Sequence, residues 1–235
     1  MRRRRSLWLI ALAALAVSSL LLLATRALWM RAIGRGLVCA RSVAPSDAIV
    51  VDNFDYNYLV FEHTAELQRS GIGTRIFVPA EASRDPHRVG TIARLIVEDM
   101  ARVAEVEDPA IFPVPEREPI SLNVALGVRD KLTRDGVRSV VVVASAFRSR
   151  RAELIYKSVL SPVGIRVGCA PVFGSRTPET WGRSWHGVQE IIEQFLKLQY
   201  YRLYVLPFLF DAASPHDVRS ATSLSDRSSV TSLAR

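Results

Sequence analysis

The sequence predicts an α/β fold in which a three-layer, doubly wound, mostly parallel sheet follows one N-terminal transmembrane helix. From Asp47 onward, short apolar runs alternate with longer segments whose apolar residues recur every three or four positions, as expected for alternating strands and helices. The strand candidates are continuously apolar, which is typical of parallel strands covered by helices on both faces. A long uncharged run near the N-terminus supplies the membrane segment.

The apolar runs define five predicted strands, at 47–52, 74–80, 110–114, 138–145 and 164–172. Five helices are predicted between and after them, at 56–71, 88–106, 121–136, 149–161 and 185–205. Gly71 and Gly136 are expected to end the first and third of these helices, and Ser121 is expected to cap the third. This order of elements is that of a Rossmann-like domain.

The N-terminal segment divides by composition into a basic stretch at 1–6, an apolar run at 7–24 and a linker at 25–46. Eighteen residues in a helix span roughly 27 Å, close to the hydrocarbon thickness of a bilayer. No A-x-A pattern ends the run, which favours a retained anchor over a cleaved signal. The arginine cluster Arg2 to Arg5 predicts a cytoplasmic N-terminus, and hence a single-pass protein of the cytoplasmic (inner) membrane whose domain lies outside the cytoplasm.

The net charge of +8 belongs to this segment. Residues 1–46 contain eight arginines and no acid, so the rest of the chain carries 23 basic and 23 acidic residues. A domain with equal numbers of basic and acidic residues lacks the basic face that nucleic-acid binding requires. The lipid bilayer, and not a nucleic acid, is therefore the expected partner.

The α/β domain is predicted to span 47–205, followed by a disordered polar tail at 206–235 that is rich in Ser, Thr, Asp and Arg. The aromatic-rich stretch at 195–210 fits either packing on the sheet or contact with a membrane surface.

Cys39 and Cys169 are the only cysteines. They are expected to be unlinked, although an oxidising compartment would permit a bridge. Cys and His show no metal-ligand spacing, so no metal site is expected.

Polar residues follow the first four predicted strands, and in a parallel sheet these turns meet at one edge, where ligands bind. The ligand-binding candidates are Ser121, Asn123, Ser145, Arg148 and Arg151. Arginines near a helix N-terminus favour an anion, although they can also be simply solvated. Asp52 and Glu81 are the candidates for a catalytic base. For Asp52, capping of the next helix is favoured over binding of a metal. No glycine-rich dinucleotide motif, P-loop or serine-hydrolase elbow is present.

Two of these stretches resemble motifs of the YdcF/SanA/ElyC family of bacterial envelope proteins. The family run Thr-Ser-x-x-His-x-x-Arg-Ala corresponds to ASAFRSRRA, in which Ser145 and Arg151 are retained and Arg148 takes the place of the histidine. The family run Ser-x-Asn-Thr-x-Glu-Asn corresponds to SLNVALG, which keeps Ser121 and Asn123. The resemblance covers roughly 47–204, but the glycines after the first two strands are missing.

The resemblance implies a membrane-anchored envelope protein that binds an anionic or phosphorylated ligand in barrier, polysaccharide or lipid-carrier metabolism. If such a protein is an enzyme, it is expected to be a hydrolase or transferase that acts on an anionic envelope precursor. S-adenosylmethionine is a cofactor expectation from the resemblance alone. The lost histidine, glutamate and glycines leave a second hypothesis open, namely a non-catalytic envelope scaffold that keeps the fold.

Overall fold

A five-stranded sheet forms the centre of the computed structural model, which describes residues 2–53, 57–82, 92–115 and 117–209. Its strands are β1 (Ala48–Asp52), β2 (Arg75–Glu81), β3 (Pro109–Val114), β4 (Ser139–Ser145) and β5 (Arg166–Val172). They lie in the order β3-β2-β1-β4-β5, and every neighbouring pair is parallel. The predicted α/β class and parallel sheet are therefore confirmed.

Seven α-helices accompany the sheet in the described part of the chain. They are α1 (Arg2–Ala24), α2 (Arg26–Gly36), α3 (Tyr58–Arg69), α4 (Ile92–Val103), α5 (Ile120–Arg134), α6 (Ala146–Leu160) and α7 (Trp185–Tyr200). A π-helix, Tyr201–Leu209, continues α7. The predicted boundary at residue 205 therefore falls inside a helix, and residues 210–235 of the predicted tail lie outside the described residues.

Two apolar cores cover the two faces of the sheet. Side chains of successive residues in a strand point to opposite faces, so Val50 packs with α5 and α6 while Ile49 and Val51 pack with α3 and α4. All five residues of β1 are buried. Burial on both faces explains why the central strands are continuously apolar.

Helix α6 begins three residues earlier than predicted. Ser145 still has extended backbone dihedrals (φ −54°, ψ 138°), and the helix starts at Ala146 without an intervening loop. Arg148 and Arg151 consequently lie within the first two turns of α6. Ser121 is not the cap of α5, because the extended residue before that helix is Pro119, whose ring restricts φ.

The N-terminal region contains two helices where one spanning helix was predicted. Among the described residues, no single helix has both the length and the apolar character of a membrane span. The pair Ala11–Ala24 and Arg26–Gly36 meets both criteria together, with a bend of 61° between its halves.

Helix α2 packs against the α/β body. The indole Nε1 of Trp181 donates a hydrogen bond to the carbonyl oxygen of Met30 at 3.0 Å. Arg35 pairs with Glu179 at 3.1 Å, although both side chains are exposed. Gly34 sits so close to Pro178 and Trp181 that a Cβ atom at this position would lie 2.9 Å from the Cα atom of Pro178. Residues 26–36 are thus part of the folded unit.

The expectation that the cysteines are unlinked is wrong, since Cys39 and Cys169 form a disulfide. Ser42 and Cys169 form an antiparallel β-bridge through two backbone hydrogen bonds, at 2.9 and 3.2 Å, which brings the segment before β1 alongside β5. The Cα atoms of the two cysteines are consequently 6.5 Å apart. This pairing was not predicted because 130 positions separate the two residues in the sequence.

Candidate functional site

The predicted site lies at the carboxyl edge of the sheet, between β1 and β4. Chain connections run from β1 toward β2 on one face of the sheet and from β4 toward β5 on the other, so the helices diverge here. In open parallel sheets this switch point is the usual position of a ligand. Asp52 ends β1 and pairs in register with Ala144 of β4.

Arg148 and Asp52 form a buried ion pair at this point. The Nε atom of Arg148 donates to Oδ2 of Asp52 at 2.9 Å, and their side chains are only 7% and 5% exposed. Removing two charges from water costs several kcal/mol per ion, which close pairing offsets. Asp52 is therefore the internal counter-ion of Arg148 and not an exposed base.

Arg151 is held by three elements of the fold. Its Nη1 atom donates to Oγ of Ser121 on α5 at 3.2 Å, and its Nη2 atom donates to Oε1 of Gln194 on α7 at 3.1 Å. Its guanidinium carbon lies 5.7 Å from the ring centroid of Tyr201, within cation–π range. The hydroxyl oxygen of Tyr201 also accepts a hydrogen bond from the backbone N–H of Ser121 at 3.1 Å.

Three residues of this cluster, Tyr156, Gln194 and Tyr201, were not predicted. Of the three, only Gln194 could have been suspected from the sequence. It lies on the apolar side of its helix, where a buried amide needs a hydrogen-bond partner. Tyr156 is fully buried beside Asp52 and Arg148. Burial raises the pKa of its hydroxyl well above the usual value, and the Asp52 carboxylate adds to this increase.

The cluster encloses no usable space. The gap bounded by Asp52, Ser121, Arg148, Arg151 and Tyr156 has no room for a water-sized sphere. The structure therefore brings four of the predicted residues together, as the topology required. The prediction placed an anionic ligand between Arg148 and Arg151. In the structure, the two arginines instead contact Asp52, Ser121 and other protein groups.

The other predicted site residues lie outside this closed cluster. The side-chain amide of Asn123 donates to the carbonyl oxygens of Arg117 and Pro119, at 3.0 and 3.2 Å, and so holds the turn before α5. Glu81 ends β2, in register with Val114 of β3.

Ser145 borders a separate open cavity of about 230 Å³ in front of the N-terminus of α6. Its Oγ atom accepts a hydrogen bond from Nδ2 of Asn57 at 3.0 Å. Arg176 and Glu190, which pair at 2.8 Å, also line this cavity. This volume is below the range of about 300–1,000 Å³ that is typical of pockets for drug-sized ligands.

Within the described residues, no group of three or more His, Cys, Asp or Glu side chains is placed to hold a metal ion. Comparison of the chain with models of protein families, with curated proteins and with solved structures found no significant match.

Proposed function

We propose that this protein is a membrane-tethered scaffold of the cell envelope, whose α/β body lies outside the cytoplasm and carries out no chemistry at the sheet edge. The observation that supports this most is the buried Arg148–Asp52 pair, which fills the position where open parallel sheets usually bind ligands. In the envelope family that the sequence resembles, a histidine stands where this chain has Arg148. A guanidinium stays protonated at any physiological pH and cannot serve as an acid–base group.

The disulfide supports the proposed location. Disulfides persist in oxidising compartments and are rare in the cytosol, and Cys39–Cys169 fastens the segment after α2 to strand β5. The arginines at positions 2–5, followed by the apolar part of α1, favour the same orientation through the positive-inside rule.

Fusion of reporters to the C-terminus tests this topology. We expect a reporter that is active only outside the cytoplasm to give signal, and a reporter that is active only in the cytoplasm to give none. The reverse pattern would overturn the extracytoplasmic placement.

Charge-neutral replacement of the buried pair tests the scaffold role. The double variant Asp52→Asn/Arg148→Met removes both charges at similar volume, which is often tolerated in buried ion pairs. We expect it to complement a strain that lacks the gene as fully as the wild type does, with survival in detergent as the measure of the proposed barrier role. The matched control, Arg69→Met/Glu105→Gln, neutralises an exposed pair. A double variant that folds and reaches the membrane but fails to complement would refute the scaffold role.

A second candidate function is the binding of a small anionic envelope precursor in the cavity beside Ser145. The first turn of α6 lines this cavity, and a helix N-terminus favours anions. Arg176 also lines it, where it is paired with Glu190. The small volume favours a phosphate-sized group over S-adenosylmethionine. We expect pyrophosphate to raise the melting temperature of the wild type and not of an Arg176→Gln/Glu190→Gln variant. No shift in the wild type would remove this candidate.

A further inference from the structure

A groove of about 780 Å³ runs between α2, α6 and α7, away from the sheet edge. Its walls combine apolar and cationic side chains, principally Ile33, Leu154, Phe195, Arg150, Lys157 and Arg202. Helix α2 follows the apolar helix α1 after the single residue Thr25, and the second half of α2, from Ala32 onward, forms one wall of the groove.

The groove carries an excess of positive charge. The carboxylate of Glu153, whose side chain is 8% exposed, accepts hydrogen bonds from Arg150 at 3.0 Å and from Lys157 at 2.7 Å. Both of these cations remain about half exposed. Arg202 is exposed and makes no ion pair within the described part of the chain. Three cations against one carboxylate leave two positive charges for an anionic partner.

The helical segment that supplies Phe195 and Arg202 to the groove also carries an exposed apolar row, whose members do not line the groove. Tyr200, Tyr204 and Phe208 lie along α7 and the π-helix, with ring centroids 5.7 and 6.0 Å apart between successive members. Phe208 is 68% exposed, and the neighbouring Leu203 is 65% exposed. Adjacent exposed apolar side chains on a protein surface often mark a site of contact with another protein or a membrane. Tyr and Phe are favoured at the boundary between headgroups and hydrocarbon.

We propose that this groove binds an anionic phospholipid of the bilayer to which the chain is tethered, with the phosphate at Arg150, Lys157 and Arg202 and the acyl chains along Ile33, Leu154 and Phe195. The inference rests on the proposed membrane tether. Positive charge beside hydrocarbon matches a molecule with an anionic head and an apolar tail. A soluble acidic protein would match only the charge, and a second copy of the chain would bring the same positive charge to the interface.

Native mass spectrometry of the full chain in detergent tests the lipid site, with phosphatidylglycerol and phosphatidylcholine of identical acyl chains as probes. We expect the wild type to bind phosphatidylglycerol more tightly. Since a cation near an anionic surface contributes roughly a fivefold factor, Arg202→Gln should weaken phosphatidylglycerol binding about fivefold. It should leave phosphatidylcholine binding unchanged. Arg202 makes no ion pair in the described structure, so its loss leaves no buried partner.

A larger variant removes the groove charge without leaving Glu153 buried alone. Arg150→Gln/Glu153→Gln/Lys157→Gln/Arg202→Gln lowers the net charge by two and should abolish the headgroup preference. The control Arg69→Gln/Arg102→Gln makes the same net change at exposed positions outside the groove and should keep the preference.

Equal binding of the two lipids by the wild type, or an unchanged preference in the groove variants, would overturn the lipid site. A stable dimer whose cross-links map to Arg202 would overturn it in favour of a second copy. The topology reporters separate this result from the proposed function. An extracytoplasmic signal without headgroup preference leaves the tether standing and removes the groove. A cytoplasmic signal with headgroup preference overturns the extracytoplasmic placement and keeps the lipid site.

Discussion

Arg148 donates a hydrogen bond from Nε to Oδ2 of Asp52 at 2.9 Å across the switch point of the sheet, and both side chains are buried. This pair links the end of β1 to the first turn of α6. The two side chains fill the position where the sequence predicted a ligand, and each neutralises the charge of the other.

The first prediction concerns the stability of this pair. Asp52→Asn alone leaves a guanidinium buried without its carboxylate, so we expect the free energy of unfolding to fall by about 3–5 kcal/mol. Asp52→Asn/Arg148→Met should lose much less, because no buried charge remains. Thermal unfolding of the detergent-solubilised chain measures both. A double variant that is less stable than the single variant would contradict this assignment.

The second prediction concerns the disulfide. Cys39 and Cys169 are 130 positions apart, so their bond closes a long loop in the unfolded chain. Cys39→Ser/Cys169→Ser should lower the free energy of unfolding by about 2–5 kcal/mol. Dithiothreitol should lower the melting temperature of the wild type and leave the double variant unaffected. A reductant effect of equal size on both proteins would show that the bond is not its target.

The third prediction concerns the docking of α2. A Cβ at Gly34 would lie 2.9 Å from backbone of Pro178 and 3.1 Å from Trp181, so Gly34→Ala must displace the helix. We expect a loss of about 1–3 kcal/mol, as for other overpacked sites. Gly36 is the matched control, because a Cβ there meets no atom within 4 Å. Gly36→Ala should be neutral or slightly stabilising. Equal melting temperatures for the two variants would argue against tight docking.

The fourth prediction concerns Tyr156 at alkaline pH. Burial, reinforced by Asp52, raises the pKa of its hydroxyl well above 10.0 in the folded state. The unfolded chain then loses this proton at a lower pH than the folded chain. Tyr156 therefore contributes stability that is fully present below about pH 10 and is lost as the pH rises further.

Tyr156→Phe should flatten this alkaline decline, which melting temperatures measured between about pH 8 and about pH 11 would show. At neutral pH the variant should be at least as stable as the wild type, since the Tyr156 hydroxyl is buried without a hydrogen-bond partner among the described residues. Tyr204→Phe is the control, because Tyr204 is 50% exposed. An identical alkaline decline in wild type and Tyr156→Phe would contradict the prediction.

The sequence by itself determined the layered architecture. The buried runs 48–51 and 140–144 carry their signal locally, since the middle of a strand that is covered on both faces is apolar at successive positions. The convergence of Asp52, Ser121, Arg148 and Arg151 also followed from the sequence, because the carboxyl ends of parallel strands share one edge.

Only the tertiary structure decided what these residues contact. Asp52 and Arg148 are 96 positions apart, Arg151 and Gln194 are 43 apart, and the linked cysteines are 130 apart. Local periodicity reports which side of an element is buried, but it holds no information about which distant group lies opposite. Whether an arginine faces a ligand or a carboxylate depends on that distant group, so the closed cluster and the disulfide became visible only once the chain was folded.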